Sequence, residues 1–153
     1  MENQRIPDKQ YKQILEHIAI PCVDIVACHN GKVLLVKRTN EPAKDLWWVP
    51  GGRINKRETV EQAALRKLKQ ETGLTGKIEK KVGFYDTIFD KGPFPDLKTG
   101  IHTVNVVFLV SILEENPEIN LDRTSEEYKW VDKIEEDYHP YIKQILKDSG
   151  IFE

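Results

Sequence analysis

The chain has 153 residues, of which 39% are hydrophobic and 31% charged, and its formal net charge is −2. This composition is typical of a single globular domain, 1–153. The charge argues against a nucleic-acid-binding protein, because no excess of Lys and Arg is available to displace phosphate counterions. The polar N-terminus lacks the apolar core of a signal peptide, and no run approaches the roughly 18 apolar residues of a membrane-spanning helix. We therefore expect a cytoplasmic protein with no membrane partner.

The first part of the chain predicts a helix and then a strand pair. Apolar residues recur at helical intervals over 8–19, which gives a helical extension, 1–20, that packs either on the domain or against a second copy. The β-rich runs Cys22–Cys28 and Lys32–Lys37 follow. The Asn30–Gly31 dipeptide between them suits the positive φ angles of a tight antiparallel hairpin.

The central part of the chain predicts a strand, a glycine turn and a helix. Leu46–Val49 reads as a short buried strand that ends at Pro50–Gly52. A Thr-x-x-Gln capping box beginning at Thr59 predicts a helix over Val60–Thr72, and Gly73 suits the left-handed residue that ends a helix.

The remaining part of the chain is richer in strands. Its predicted elements are one or two strands over 77–89, a lid loop over 90–100, a central strand over 102–113, a short strand over 128–131 and a helix over 140–147. Val82 and Phe84 are expected to be buried. Because strands and helices mix without regular alternation, the pattern favours an α+β layered fold.

The stretch from Trp47 to Leu74 is the best candidate for a functional site. Its two glycines allow the backbone to approach a ligand closely and to turn a carbonyl toward a cation. Glu58 is placed to reach Arg66 and hold the loop against the helix. Together with the carboxylate of Glu71, such oxygen ligands suit Mg²⁺ or Mn²⁺, which share the rest of their coordination shell with water and substrate phosphates.

The same stretch resembles the Nudix hydrolases, whose signature is G-x5-E-x7-R-E-U-x-E-E-x-G-U, with U a bulky apolar residue. The matching residues are Gly52, Glu58, Arg66, Leu68, Glu71, Gly73 and Leu74. Lys67 and Gln70 replace two glutamates that in most members bind metal or supply the base. The resemblance implies the Nudix fold, an α/β/α sandwich with a mixed β-sheet between helices.

Within that family, the chain is most similar to the GDP-mannose mannosyl hydrolase subgroup, which lacks acidic residues at the same two positions. The shared pattern is Lys37-Arg38-Thr39-Asn40-x-Pro42-Ala43, followed by Trp47-x-Val49-Pro50-Gly51-Gly52-Arg53. In that subgroup one Mg²⁺ helps GDP to leave while water attacks the anomeric carbon of the sugar. The resemblance therefore implies one Mg²⁺, or Mn²⁺ in its place, bound by Glu71 and the Gly51 carbonyl.

The resemblance also implies roles for other side chains. Those expected in catalysis are Arg38, Arg53, Glu58 and Arg66, and those expected to contact substrate are Asp24, Arg38, Arg53 and His102. Guanidinium groups and Mg²⁺ are suited to neutralise charge on a departing diphosphate. Asp24 also interrupts an apolar run, and a carboxylate inside a strand is costly unless it is used or paired.

The general base is left open. Where the subgroup has Gln-His before its Tyr-x-Trp strand, this chain has Thr124–Ser125, whose hydroxyls are not bases near neutral pH. The candidates that remain are Glu126, Glu127, Asp90, Asp96 and His102.

These features predict a homodimeric, Mg²⁺-dependent Nudix hydrolase of a nucleoside diphosphate linked to another moiety. A GDP-mannose-like nucleotide sugar, split into nucleoside diphosphate and sugar, is the best single guess. Two alternatives remain open: a pyrophosphohydrolase that cuts P–O–P, and a non-catalytic module that binds a nucleotide sugar. The two missing glutamates and the missing base keep the last alternative open.

Overall fold

The computed structural model describes residues 5–152, so residues 1–4 of the predicted extension and residue 153 lie outside the described part. Between residues 5 and 152 the chain forms three helices and seven strands. In chain order these are α1 Asp8–His17, β1 Ile20–His29, β2 Lys32–Arg38, β3 Trp47–Trp48, β4 Gly51–Arg53, α2 Val60–Thr72, β5 Gly76–Phe89, β6 Ile101–Ile112, β7 Ser125–Val131 and α3 Pro140–Ser149.

The strands form one mixed sheet in the order β3-β2-β1-β6-β5, with β4 paired to β1 and β7 to β2. β1 and β6 are parallel, and the other pairs are antiparallel. The β1–β2 hairpin is confirmed, since Asn30 and Gly31 have φ angles of 51° and 75°. β6 lies inside the sheet, as its Val-rich sequence predicted.

Two helices cover opposite faces of this sheet. Ala63, Ala64 and Leu68 of α2 pack into one buried cluster. Ile142 and Ile145 of α3 pack into another, on the other face. The predicted α/β/α sandwich of α+β class is therefore confirmed. Its central helix begins at the predicted capping box and ends at Gly73, which is left-handed.

α1 packs on the domain. Leu15 is buried in a small cluster with Ile20 and Ile101. The helix ends at His17, two residues before the predicted end, because the backbone is already extended at Ile18. Within residues 5–152, no helix is both long enough and apolar enough to cross a membrane.

Three sequence predictions need correction. The glycine turn continues as a strand, Gly51–Arg53, and leaves only Trp47–Trp48 as the strand before it. The strand predicted over 128–131 begins at Ser125. Phe84 is 69% exposed. It lies on β5, the last strand of the sheet, where it has a neighbouring strand on one side only.

Candidate active site

A cleft of about 420 Å³ lies where β1, β4 and the C-terminal half of α2 meet. The loop after β2 and the loop before β6 complete its walls, through Pro42 and Pro93 among others. The lid predicted over 90–100 thus contributes to the cleft wall. It is tied to α1 by an ion pair between Lys12 and Asp96.

β4 brings the glycine turn against Asp24. Gly51 pairs with Asp24, and Gly52 pairs with Val23. A Cβ atom on Gly51 would lie 2.0 Å from Asp24 Oδ1 and 2.4 Å from the Val23 carbonyl oxygen. Only glycine fits at this point, because no side chain can be accommodated so close to a neighbouring strand.

Glu71 is buried at the base of the cleft, with 4% of its surface exposed. Its Oε1 accepts the Gly51 N–H at 3.0 Å. Its Oε2 lies 3.2 Å from the Lys67 ammonium, one helical turn earlier, and 3.5 Å from the Thr124 hydroxyl. Burial raises the pKa of Glu71, and the charge of Lys67 opposes that rise. The ammonium therefore stabilises a carboxylate that would otherwise be costly to bury.

Asp24 is the second buried carboxylate in the cleft. Its Oδ2 accepts a hydrogen bond of 2.5 Å from the hydroxyl of Tyr141. Burial raises the pKa of Asp24 to about 7, while the hydrogen bond from Tyr141 lowers it. Tyr141 lies in the first turn of α3, far from the signature stretch, and nothing in its local sequence marked it for this role.

Glu58 and Arg66 form a buried ion pair, and their predicted contact is confirmed. Arg66 donates to both carboxylate oxygens of Glu58, from Nε at 2.6 Å and from Nη2 at 2.9 Å. The same Nη2 donates to the Arg53 carbonyl at 3.0 Å. Hydrogen bonding from Arg66 lowers the pKa of Glu58. The pair thereby fixes the loop from which Arg53 projects.

Both predicted arginines line the cleft. Arg38 donates from Nε to the Pro42 carbonyl at 2.9 Å, which orients the guanidinium relative to the loop after β2. The Arg53 guanidinium lies 5.3 Å from the ring centroid of Tyr11, on α1. α1 therefore contributes an aromatic face beside the cleft.

His102 does not lie with the other predicted residues. Its Nε2 is 2.8 Å from Asp86 Oδ1 at an exposed position, whereas Thr103 and Asn105 line the cleft. Successive side chains of a strand alternate between faces, so His102 points away from the cleft. Among the described residues, the other candidate bases, Glu126, Glu127, Asp90 and Asp96, lie outside the cleft lining as well.

The cleft contains polar side chains that sequence reasoning missed. They include Asn105, Thr87 and Glu41. Sequence reasoning also missed Tyr141, which donates a hydrogen bond to the cleft residue Asp24. Asn105 is 2% exposed within the Val-rich strand β6. A buried amide in an apolar run is the same kind of signal that marked Asp24.

Comparison with known proteins identifies the fold. A family model described as NUDIX domain matches residues 17–148. The chain belongs to the Nudix family. The low-salt glycan biosynthesis protein Agl8 of Haloferax volcanii is 32% identical over 142 residues, covering 93% of this chain and 89% of its own. An ADP-ribose pyrophosphatase of Methanocaldococcus jannaschii is 35% identical over 105 residues, covering 69% of this chain and 57% of its own.

A solved Nudix structure has the same fold. The MutT NUDIX hydrolase of Burkholderia pseudomallei superposes with a TM-score of 0.72 at 22% identity, over 86% of this chain and 98% of that one. The two proteins share the Nudix fold. Nudix hydrolases act on small-molecule nucleotide derivatives and generally use divalent metals such as Mg²⁺ or Mn²⁺.

The buried carboxylate of Glu71 in this Nudix cleft has the chemistry of a ligand for a divalent ion. Within residues 5–152, no three His, Cys, Asp or Glu residues are grouped closely enough to hold a metal. Glu71 is nevertheless buried, and one of its oxygens already faces a cation, the Lys67 ammonium. Mg²⁺ is commonly held by one or two carboxylates, with water and substrate phosphates supplying its remaining ligands. Glu71 beside the Gly51 backbone meets that requirement.

Proposed function

We propose that this Nudix hydrolase cleaves a nucleoside diphosphate linked to another moiety, with a GDP-mannose-like nucleotide sugar as the best single candidate. One observation carries the proposal. Three cationic side chains, Arg38, Arg53 and Lys67, line the same cleft around the buried carboxylate Glu71. That arrangement suits a diphosphate, whose charge grows as it departs from the sugar.

The residues of the cleft have distinct proposed roles. Arg38 and Arg53 bind the diphosphate and stabilise it as a leaving group. Glu58 and Arg66 position the loop that carries Arg53, since both are engaged with each other and with the backbone. Asp24 contacts the substrate. His102 has no place in this proposal, because it faces away from the cleft.

The proposed metal is Mg²⁺, or Mn²⁺ in its place, held by Glu71 and the Gly51 carbonyl. When bound, the ion neutralises charge on the diphosphate as a Lewis acid. Water attack on the sugar carbon requires this assistance only at the leaving group. Cleavage at phosphorus commonly uses two metal ions, which stabilise the attacking oxygen and the leaving oxygen. A site with one carboxylate metal ligand therefore suits C–O cleavage better.

A second candidate is hydrolysis of P–O–P. The relative from Methanocaldococcus jannaschii is named an ADP-ribose pyrophosphatase, and its 35% identity to this chain favours that reaction. The Haloferax volcanii relative, named for glycan biosynthesis, favours a sugar-linked substrate instead. Both candidates share a nucleoside diphosphate derivative as substrate and differ in the atom that water attacks.

One assay separates the candidates. The protein is incubated with Mg²⁺ and a panel of nucleotide sugars, ADP-ribose and nucleoside triphosphates in ¹⁸O water. C–O cleavage releases a nucleoside diphosphate and a sugar that carries ¹⁸O, whereas P–O–P cleavage of a nucleotide sugar releases a nucleoside monophosphate and a sugar phosphate. Tight binding of one compound with no turnover of any would overturn both hydrolytic proposals and leave a binding module.

We also propose that the protein is a cytoplasmic homodimer of one-domain chains. Light scattering after size-exclusion chromatography measures the mass directly. A mass of one chain across micromolar concentrations would contradict the dimer.

A further inference from the structure

Lys67 occupies an unusual position for a charged side chain. It is 4% exposed on α2, and its ammonium lies 3.2 Å from Glu71 Oε2. The stem of the side chain passes directly beneath the glycine turn. A Cβ atom on Gly52 would lie 2.7 Å from Lys67 Cε, and Gly52 itself has a φ of 154°. The backbone at Gly52 therefore leaves space for the lysine to reach the cleft.

The other contacts of Glu71 leave Lys67 as the charged partner of Oε2. Oε1 accepts the Gly51 N–H at 3.0 Å. The Thr124 hydroxyl lies 3.5 Å from Oε2, but it lies 2.5 Å from Asp122 Oδ1. A hydroxyl carries a single proton, so Thr124 donates to Asp122. The Lys67 ammonium is thus the cationic partner of Glu71 Oε2.

We infer that Lys67 and a divalent metal ion compete for Glu71 Oε2, and that the displaced ammonium binds the substrate diphosphate. This inference rests on the proposed function. Mg²⁺ binds its oxygen ligands at about 2.0–2.1 Å, so an ion on Oε2 would lie close to the ammonium, which is 3.2 Å from the same atom. Two adjacent cations also repel each other. A bound diphosphate offers the ammonium a new anionic partner in the same cleft.

Metal binding and nucleotide binding are therefore coupled. Without nucleotide, the ammonium of Lys67 pairs with Glu71 and lowers the affinity for the metal. With nucleotide, the diphosphate draws the ammonium away and frees Glu71. By linkage, each ligand then raises the affinity for the other. The common Nudix signature has a glutamate at the position of Lys67, so an internal counter-ion at this position departs from that signature.

The test compares Lys67→Met and Lys67→Gln with the wild-type protein. Glutamine still donates a hydrogen bond to Glu71 but carries no charge, so Lys67→Gln is informative even if Lys67→Met does not fold. Calorimetry measures Mg²⁺ affinity without nucleotide and GDP affinity without metal. We expect the variants to bind Mg²⁺ about tenfold more tightly and GDP about tenfold more weakly. The substitutions remove a positive charge that repels Mg²⁺ and attracts the diphosphate of GDP.

Lys69→Met is the matched control. Lys69 lies on the exposed side of the same helix, where its ammonium donates to the Gly73 carbonyl. Neither affinity should change in this variant. Opposite shifts for the two ligands in the Lys67 variants support the inference, since a purely structural lysine would weaken both. Unchanged or weaker Mg²⁺ binding in Lys67→Gln would overturn it.

These measurements are independent of turnover. A protein that hydrolyses nothing, and so contradicts the proposed function, can still show the opposite shifts in binding. If the protein hydrolyses nucleotide sugars but the variants show no opposite shifts in affinity, the proposed function stands. Only the proposed competition between Lys67 and the metal is then contradicted.

Discussion

The hydroxyl of Tyr141 donates a hydrogen bond of 2.5 Å to Asp24 Oδ2 and so joins α3 to the middle of β1. Both residues are buried, at 7% exposure each. The other oxygen of Asp24 lies beside Gly51, on the strand that carries the glycine turn. One hydrogen bond therefore orients a carboxylate toward the backbone of the proposed metal site.

Replacing Tyr141 by Phe removes this donor and leaves a buried carboxylate oxygen unsatisfied. We expect the free energy of unfolding to fall by about 1–3 kcal/mol, the usual cost of such a group. Urea denaturation followed by circular dichroism measures the change.

Tyr138→Phe is the control for Tyr141→Phe. The Tyr138 hydroxyl is also buried, yet it has no hydrogen-bond partner among the described residues. Its removal should change the unfolding free energy by less than about 0.5 kcal/mol or stabilise the protein. Equal losses in the two variants would contradict a specific role for the bond to Asp24.

Arg66→Gln should be strongly destabilising. The Arg66 and Glu58 side chains are 3% and 8% exposed, so the substitution leaves a carboxylate buried without its cation. Breaking a buried pair in this way costs about 3–5 kcal/mol. Chemical denaturation measures the loss, with Lys133→Gln as the control. The Lys133–Glu135 pair is exposed, and exposed pairs contribute about 0–1 kcal/mol.

The same ion pair should make stability depend on pH in the acid range. The pKa of Glu58 is lowered in the folded protein, chiefly by its hydrogen bond from Arg66. A group of this kind contributes its full stability above its unfolded pKa, about 4.3, and loses it as the pH falls through the lower folded value. Unfolding midpoints from pH 6 to pH 2 should therefore fall less steeply for Glu58→Gln than for the wild-type protein. If the midpoints of the wild-type protein and Glu58→Gln fell in parallel, the Glu58–Arg66 pair would not be the source of the pH dependence.

Glu71→Gln should abolish Mg²⁺-dependent turnover, with a loss of at least about a hundredfold, because a neutral amide cannot replace the proposed carboxylate ligand. Initial rates at several Mg²⁺ concentrations measure the effect. Glu61→Gln, at an exposed position on the same helix, should retain full activity. Turnover that survives in Glu71→Gln would show that the proposed metal ligand is wrong.

The local features of this protein could be predicted from its sequence because they depend on short spacings. The capping box at Thr59, the left-handed end at Gly73 and the Asn30–Gly31 hairpin each involve residues a few positions apart. The Glu58–Arg66 contact also spans only eight positions, across a turn and the start of one helix. Backbone geometry alone brings such residues together.

Only the tertiary structure decided the long-range contacts at the cleft and the face of β6 that lines it. Tyr141 meets Asp24 across 117 positions. His102 faces outward and Asn105 inward because of the register in which β6 pairs with its neighbours, and a shift of one residue would exchange the two faces. Sequence periodicity identifies a strand but does not identify which of its faces meets a helix or a cleft. The packing of the sheet between α2 and α3 supplies that information.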